Sequence, residues 1–517
     1  MMKKAMIALL VTALMQFNVS CQKPIPADLS NSSIIPIPVK LNATGSSYLL
    51  SERTNIYFPK GNGELNQIGV LLAKQIKGMT GLNIAVKAVP DVPANSIYLD
   101  ILKGENQLGE ERYELNIEEK KVILSANHPA GIFRGIQTIL QIVDKAGKGN
   151  SKWIIPSGTI TDYPTYAYRG MMLDVSRHFF GIEDVKRVID LASLYKINVF
   201  HMHLSDDQGW RIEIKSWPKL TSVGGQTQVG GGEGGFYTQE QFKEIVQYAR
   251  SRYITVIPEI DMPGHTNAAS VAYPELNGAE KKAEPYTGIE VGFSTFDTRK
   301  EVTYQFVDDV IGEIASMIDG PFIHIGGDES HVTKDDDYVY FVNRVRDIVK
   351  KHNKKMIGWD EVAHADIDET DIVQYWSKKT KNVLKGVEKG AMVIMSPAKY
   401  CYLDMKYDST TTIGLKWMGY IEVDQAYDWK PTKLVKGIAR ENILGIESPL
   451  WTETVQTMDD IEYLVFPRLI GHAEIGWSPE DKLNWEDYKV RVGKHAPRLK
   501  TLGVDFYESK LIPWEME

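Results

Sequence analysis

The spacing of apolar residues changes period along the chain. Between about Ile34 and Ser157, short runs alternate every second residue: Ile97, Leu99 and Ile101 share one face, as do Tyr113, Leu115 and Ile117, and a tight turn at Glu118–Lys120 leads into Val122 and Leu124. That period predicts half-buried strands. Two segments repeat at helical spacing instead, Leu65, Ile68, Leu72 and Ile76, then Ile132, Phe133, Ile136, Ile139, Leu140 and Val143. Each marks one apolar helix face. The combination predicts a small α+β domain over residues 30–160 that carries no chemical constellation of its own. The Gly/Lys-rich stretch Ala146–Lys152 and the segment Pro156–Pro164 read as its boundary.

After Tyr166 the texture becomes strand followed by helix, repeated. Eight strand candidates follow: Tyr168–Val175, Asn198–Ser205, Thr255–Asp261, Phe322–Glu329, Lys355–Val362, Asp371–Ser377, Ala391–Pro397 and Ile443–Trp451. Helical patterns separate several of them, one opened by Thr238 and Gln241 at capping-box spacing. Eight such units predict a (β/α)8 TIM barrel over residues 166–505, ending in a helical tail, with its chemistry at the C-terminal strand ends. The glycine-rich stretch Gly230–Gly235 lacks the Lys and Ser/Thr of a phosphate loop and is expected to be a mobile barrel loop.

Composition narrows the function. A chain of 517 residues with 43% hydrophobic content can build two or three domains, and its net charge of −9 speaks against nucleic acid as a partner. Lys3 and Lys4 precede an apolar run from Ala5 to about Met15, and Cys21 follows. This reads as an export signal over residues 1–21, with lipid attachment at Cys21 and simple secretion as the two alternatives, and an expected location in the periplasm or at the outer membrane or cell surface. The run is too short to span a bilayer. Cys401 is the second of two cysteines and reads as a packed small side chain.

The candidate chemistry gathers at strand ends. In Phe322–Glu329 an apolar run stops at Gly326 and Gly327, and Asp328 and Glu329 follow. Side chains alternate faces on a regular strand, so both carboxylates can meet one ligand only where the strand has ended. Glycines there free the chain to turn and allow a ligand close approach. Asp174, Arg177 and His178 lie at the end of the first strand, where Arg177 fits either a sugar hydroxyl or an ion pair; Arg169, deeper in, reads as structural. His201 and His203 share a strand face ahead of Asp206 and Asp207, which leaves open a metal hydrolase as well as a barrel-filling role. Glu259, Asp261 and His265 end the third strand. Trp359, Trp376, Tyr402, Asp404, Trp417, Trp451 and Glu453 end later ones and together suggest flat walls and acceptors for a sugar ring.

Six separated motifs, YRGMMLDVSRHF, HLSDDQGWR, EIDMPGH, HIGGDE, YLDMKYD and PLWTE, with FPRLIGHAEIGWSP near the end, resemble the family 20 glycoside hydrolases, the β-N-acetylhexosaminidases. The resemblance covers roughly Ile34 to Trp477. It implies that Glu329 is the general acid/base, that Asp328 orients the 2-acetamido group, and that Asp206 and His265 support Glu329. It also implies that Trp359, Trp376 and Trp451 enclose the acetamide, that Tyr402 donates to its carbonyl, and that Arg177, Asp404, Trp417 and Glu453 hold the remaining ring. The implied reaction releases terminal β-linked GlcNAc or GalNAc with retention, the acetamido oxygen itself attacking C1. No cofactor and no metal are implied. Lacto-N-biosidase-like disaccharide release and a non-catalytic glycan-binding lipoprotein are the alternatives.

Overall fold

A computed structural model describes residues 25–104, 109–147 and 149–516. The candidate export signal and Cys21 lie outside the described residues.

The N-terminal part is a mixed sheet of eight strands: β1 (Lys40–Leu50), β2 (Asn55–Pro59), β3 (Ala85–Val89), β4 (Ser96–Ile101), β5 (Tyr113–Ile117), β6 (Lys121–Ala126), β7 (Asp144–Lys145) and β8 (Trp153–Asp162). Their order is β1-β8-β5-β6-β4-β2-β3, with β7 on β8. Helices α1 (Gly63–Thr80) and α2 (Pro129–Ile142) pack on this sheet. All of α2 beyond its first two residues is buried save Gln141, as expected of a helix covered on both sides. It lies between sheet and barrel, sending Arg134 Nη2 to the Tyr253 carbonyl at 2.6 Å and Gln141 Nε2 to the Ile35 carbonyl at 2.7 Å. Gly135 lets the helix seat closely, since a Cβ there would lie 2.3 Å from Leu124.

One expectation is revised here. The stretch Pro156–Pro164 is largely strand: β8 pairs with β1, β5 and β7. Its Pro156 and Gly158 look like punctuation, but the strand bends at a register shift opposite Ala43–Ser47, where such residues are tolerated.

Strands β9 (Tyr168–Asp174), β10 (Val199–His203), β11 (Thr255–Glu259), β12 (Phe322–His324), β13 (Lys355–Trp359), β14 (Ile372–Tyr375), β15 (Met392–Met395) and β16 (Ile443–Leu450) close into a parallel barrel. The barrel interior is layered. Tyr168, Val199, Ile257, Ile357, Ile372 and Ile394 form an apolar lower layer. Above it the inward positions turn polar, with His201, His203, Glu259, His324, Gln374 and Glu447 all fully or almost fully buried. Apolar packing thus supports the barrel from below and leaves its C-terminal half free for charged groups.

The two parts meet through buried polar clasps. Lys196 Nζ donates to Asp162 Oδ2 at 2.9 Å and to the Tyr113 hydroxyl at 3.0 Å, while Trp477 Nε1 donates to Asp162 Oδ1 at 2.9 Å. Arg169 and Arg134 both reach Glu111 Oε1, at 2.6 and 2.7 Å. A cavity of about 870 Å³ opens at this junction, at the N-terminal ends of the barrel strands, lined in part by Glu64, Glu110, Arg250 and Arg440. None of the candidate site residues borders it. In the Gly230–Gly235 loop, Gly230 N donates to the Thr287 carbonyl at 2.9 Å and the Arg211 guanidinium to the Gly235 carbonyl at 3.1 Å.

Candidate active site

Strand β12 pairs over only three residues before the chain leaves the ladder. Gly326 and Gly327 then take φ of 66° and 98°, a region that disfavours other residues. Here the close approach is made by the protein itself: a Cβ on Gly326 would lie 1.8 Å from Asp261 Oδ1, which accepts from Gly327 N at 3.1 Å. Glu329 (φ 46°) and His265 (φ 54°) are also left-handed without being glycine. Such backbone costs about 1–3 kcal/mol per residue and tends to collect at functional sites.

His265 faces both acids. Its Nε2 lies 3.7 Å from Glu329 Oε2 and 3.9 Å from Asp328 Oδ2, and its Nδ1 lies 3.2 Å from Asp206 Oδ1. Burial alone would push this imidazole down, but the surrounding carboxylates, Asp206 first, hold it well above the ordinary histidine range. Asp328 moves the other way. Burial, joined by Glu329 and Glu259, pushes it up to about 6 even though His265 opposes the shift. Asp261 is raised well above the ordinary carboxylate range, by burial first and then by Asp328.

Arg177 is almost fully buried and its roles coincide. It forms ion pairs with Asp174 at 3.1 Å and Asp206 at 2.9 Å while its guanidinium lies 4.9 Å from the Trp451 ring centroid. Its Nε has no partner. The ion-pair reading and a ligand role are therefore compatible: two acids aim the fork and one donor is left over.

The aromatic residues form one box. Ring centroids are 5.8 Å apart for Trp359 and Trp451, 6.3 Å for Tyr402 and Trp451, and 6.5 Å for Trp376 stacked with Tyr402. Trp417 stands at the rim, 51% exposed, within 6.3 Å of Trp376 and 5.8 Å of Tyr402. Asp404 and Glu453 complete this side, and burial raises both carboxyls, each reinforced by a neighbouring acid. Both Asp404 oxygens, Glu453 Oε2 and Asp328 Oδ1 are buried without a hydrogen-bond partner. Such atoms are costly unless a ligand satisfies them.

The structure thus gathers Arg177, Asp206, His265, Asp328, Glu329, Trp359, Trp376, Tyr402, Asp404, Trp417, Trp451 and Glu453 around one mouth. His201 and His203 lie below it. Groups of them with Glu259, His324 and Asp261 come close enough to hold an ion, yet their nitrogens already face carboxylates. His203 Nδ1 is 2.5 Å from Glu259 and its Nε2 2.8 Å from Asp206, while His201 Nδ1 is 2.9 Å from Glu447. Each ring bridges two acids, an arrangement that favours imidazolium over a metal ligand. Sequence reasoning missed Asp360 and Glu361. Glu361 Oε2 accepts from Trp376 Nε1 at 3.1 Å, and burial pushes Asp360 up to about 7. The WDE run at the end of β13 was the available signal.

Residues 166–480 match the glycosyl hydrolase family 20 catalytic domain and residues 31–163 match glycosyl hydrolase family 20 domain 2. The chain is 38% identical over 485 residues to the β-N-acetylhexosaminidase of Cellulomonas fimi, an alignment covering 93% of this chain and 97% of that one. The GH20 β-N-acetylhexosaminidase of Streptomyces coelicolor superposes with a TM-score of 0.90 at 43% identity, over 95% of this chain and 100% of that chain. A mutant Streptomyces plicatus β-hexosaminidase in complex with its product GlcNAc superposes at 0.89 with 43% identity, over 95% and 99% of the two chains.

Proposed function

The chain belongs to glycosyl hydrolase family 20, and from that premise we propose that it is an exo-acting β-N-acetylhexosaminidase that removes terminal GlcNAc or GalNAc with retention, the substrate's own acetamide serving as nucleophile. The observation that carries the mechanism is the buried, unpartnered Asp328 Oδ1 beside the Trp359, Trp376, Tyr402 and Trp451 box. An acetamide N–H is the partner that this oxygen lacks.

Two protein carboxylates acting from opposite sides of a scissile bond would lie about 5–5.5 Å apart, and chain neighbours such as Asp328 and Glu329 suit that poorly. With the acetamido oxygen attacking C1, no protein nucleophile is needed. Asp328 accepts from the acetamide nitrogen and balances the oxazolinium charge as it forms. Glu329, whose side chain is 30% exposed, protonates the leaving oxygen and then takes a proton from the water that opens the oxazolinium ring. His265 and Asp206 hold that carboxyl in place. Tyr402 donates to the acetamide carbonyl, and Asp404, Glu453 and Arg177 meet the ring hydroxyls. Release at the cell envelope follows from the apolar run Ala5–Met15, with Cys21 as the acylation position.

The test is the rate across N-acetyl, N-fluoroacetyl and N-trifluoroacetyl aryl glycosides. Fluorine weakens the acetamido oxygen, so turnover should fall steeply with each substitution. A flat series, or a covalent glycosyl-enzyme trapped on an Asp or Glu, would overturn the mechanism. Release from monosaccharide but not disaccharide aryl glycosides separates this reading from lacto-N-biosidase-like action. Activity that survives exhaustive chelation separates it from a metal hydrolase.

A further inference from the structure

The polar layer below the mouth is a chain of alternating charge. Glu447 meets His201 at 2.9 Å, His201 Nε2 lies 3.1 Å from Glu259, Glu259 meets His203 at 2.5 Å, His203 meets Asp206 at 2.8 Å, and Asp206 meets Arg177 at 2.9 Å and His265 at 3.2 Å. Glu259 stands at the centre and is fully buried. Its second oxygen, Oε1, accepts from Trp359 Nε1 at 3.0 Å and lies 3.0 Å from His324 Nδ1. His324 Nδ1 accepts from Gly326 N, at the turn that leads to Asp328.

A carboxylate that only balanced charge in the core would have no reason to reach both sides of the pocket. Glu259 does reach both. On one side it fixes the indole of Trp359, a wall of the aromatic box. On the other it fixes His203, which bridges to the Asp206 carboxylate that aims Arg177 and His265.

We propose that Glu259 is a positioning residue that couples the two walls of the sugar pocket, the acetamide wall through Trp359 and the hydroxyl and proton-donor wall through His203 and Asp206. The proposal rests on the reading of the pocket given above. Burial by itself would neutralise Glu259, but the positive charge of His203 first, and then of His201, holds its carboxyl well below the usual carboxylate range. An amide in its place keeps the shape and can still accept from Trp359. It cannot answer the positive charge on His203, so the Asp206 side loosens, and the indole loses its charged partner.

In Glu259→Gln, kcat/KM should fall on the order of 10²-fold, the effect of displacing groups by about 1 Å. The loss should appear with activated as well as poor leaving groups, because the acetamide wall loosens whatever the leaving group, and it should be larger for poor ones, because the proton-donor wall loosens too. Preference for N-acetyl over N-propionyl substrates, which a single methylene can set at about 10- to 200-fold, should relax as the Trp359 wall loosens. Near-ultraviolet circular dichroism establishes that the variant is folded.

Should Glu259→Gln fail to fold, the pair Trp359→Phe and His203→Gln carries the same test. Their losses should combine to less than their product, since both arms act through one carboxylate, whereas losses that multiply would overturn the coupling. An active wild type with a Glu259→Gln loss under two-fold, or with loss confined to poor leaving groups, or with unchanged acyl preference, overturns the role of Glu259 alone. A wild-type chain inert on every β-N-acetylhexosaminide overturns the pocket reading and this proposal together.

Discussion

Two buried charged regions of the molecule differ in how far their polar groups are satisfied. At the domain junction, Lys196, Asp162, Tyr113, Trp477, Arg169, Arg134 and Glu111 satisfy one another, and among the described residues none of them has a buried polar side-chain atom without a partner. At the barrel mouth, Asp328, Asp404, Glu453, Asp261, His265 and Arg177 each keep at least one. Saturation marks a clasp. Unsaturation marks a surface prepared for a ligand that will bring the missing donors and acceptors. Left-handed backbone does not separate the two regions, since Glu329 and His265 adopt it at the mouth and Lys196 (φ 66°) adopts it in the clasp; the missing partners are what mark the site.

That contrast can be broken at several points. The largest effect is expected from Glu329→Gln, which should lose about 10²–10⁴-fold in kcat/KM on poor leaving groups and far less on activated aryl glycosides. An equal loss on both would show that Glu329 is not the acid. Asp328→Asn should lose about 10²–10³-fold, the scale of a lost charge stabiliser in a water-poor site. It should not lower the melting temperature, because burial and neighbouring acids already disfavour that charge. A large drop in thermal stability would place Asp328 with the clasp.

Asp162→Asn tests the opposite region. It leaves the Lys196 ammonium buried without its countercharge and should cost about 3–5 kcal/mol of stability, while kcat/KM per folded molecule stays near wild type. Denaturant unfolding and single-temperature kinetics separate the two quantities.

Smaller effects follow from pH. Asp328 works as the anion and sits at about 6 in the free protein, so kcat/KM should fall as pH drops through about 6. Asp328→Asn should remove that limb. His201 is held up at about 9 by Glu447 and Glu259 against the pull of burial, compared with 6.5 unperturbed. A raised folded value means that its contribution to stability is complete below about 6.5 and disappears as pH rises through about 9. Unfolding free energies across that window should show the loss, and Glu447→Gln should flatten it.

Much of this was legible in the chain. The eight barrel strands followed from repeated apolar runs, since parallel strands buried on both faces read as near-continuous hydrophobic segments. Each observed strand falls within the segment expected for it. The mouth residues were visible because strand-end positions collect polar and aromatic types that a core would exclude. The terminal sheet was harder. Only three of its strands show clean alternation, and β8 carries Pro156 and Gly158, so its membership depends on three neighbours in the sheet that no local signal announces.

The sequence by itself determined which residues end which strand, and through the GGDE run it determined that two carboxylates must leave the ladder together. It could not determine which buried charges would find partners. His201 and His203 lie two apart and suit a metal as well as a salt bridge; only the closing of the barrel brings Glu447 from the last strand and Glu259 from the third against them. Gly326 is required by the Asp261 carboxylate from a neighbouring strand rather than by a ligand. Periodicity is a local property, fixed by the 3.6 and 2.0 repeats of helix and strand. The partnering of a buried charge is a property of side chains that meet across a barrel, and it is fixed only when the whole ring of strands has closed.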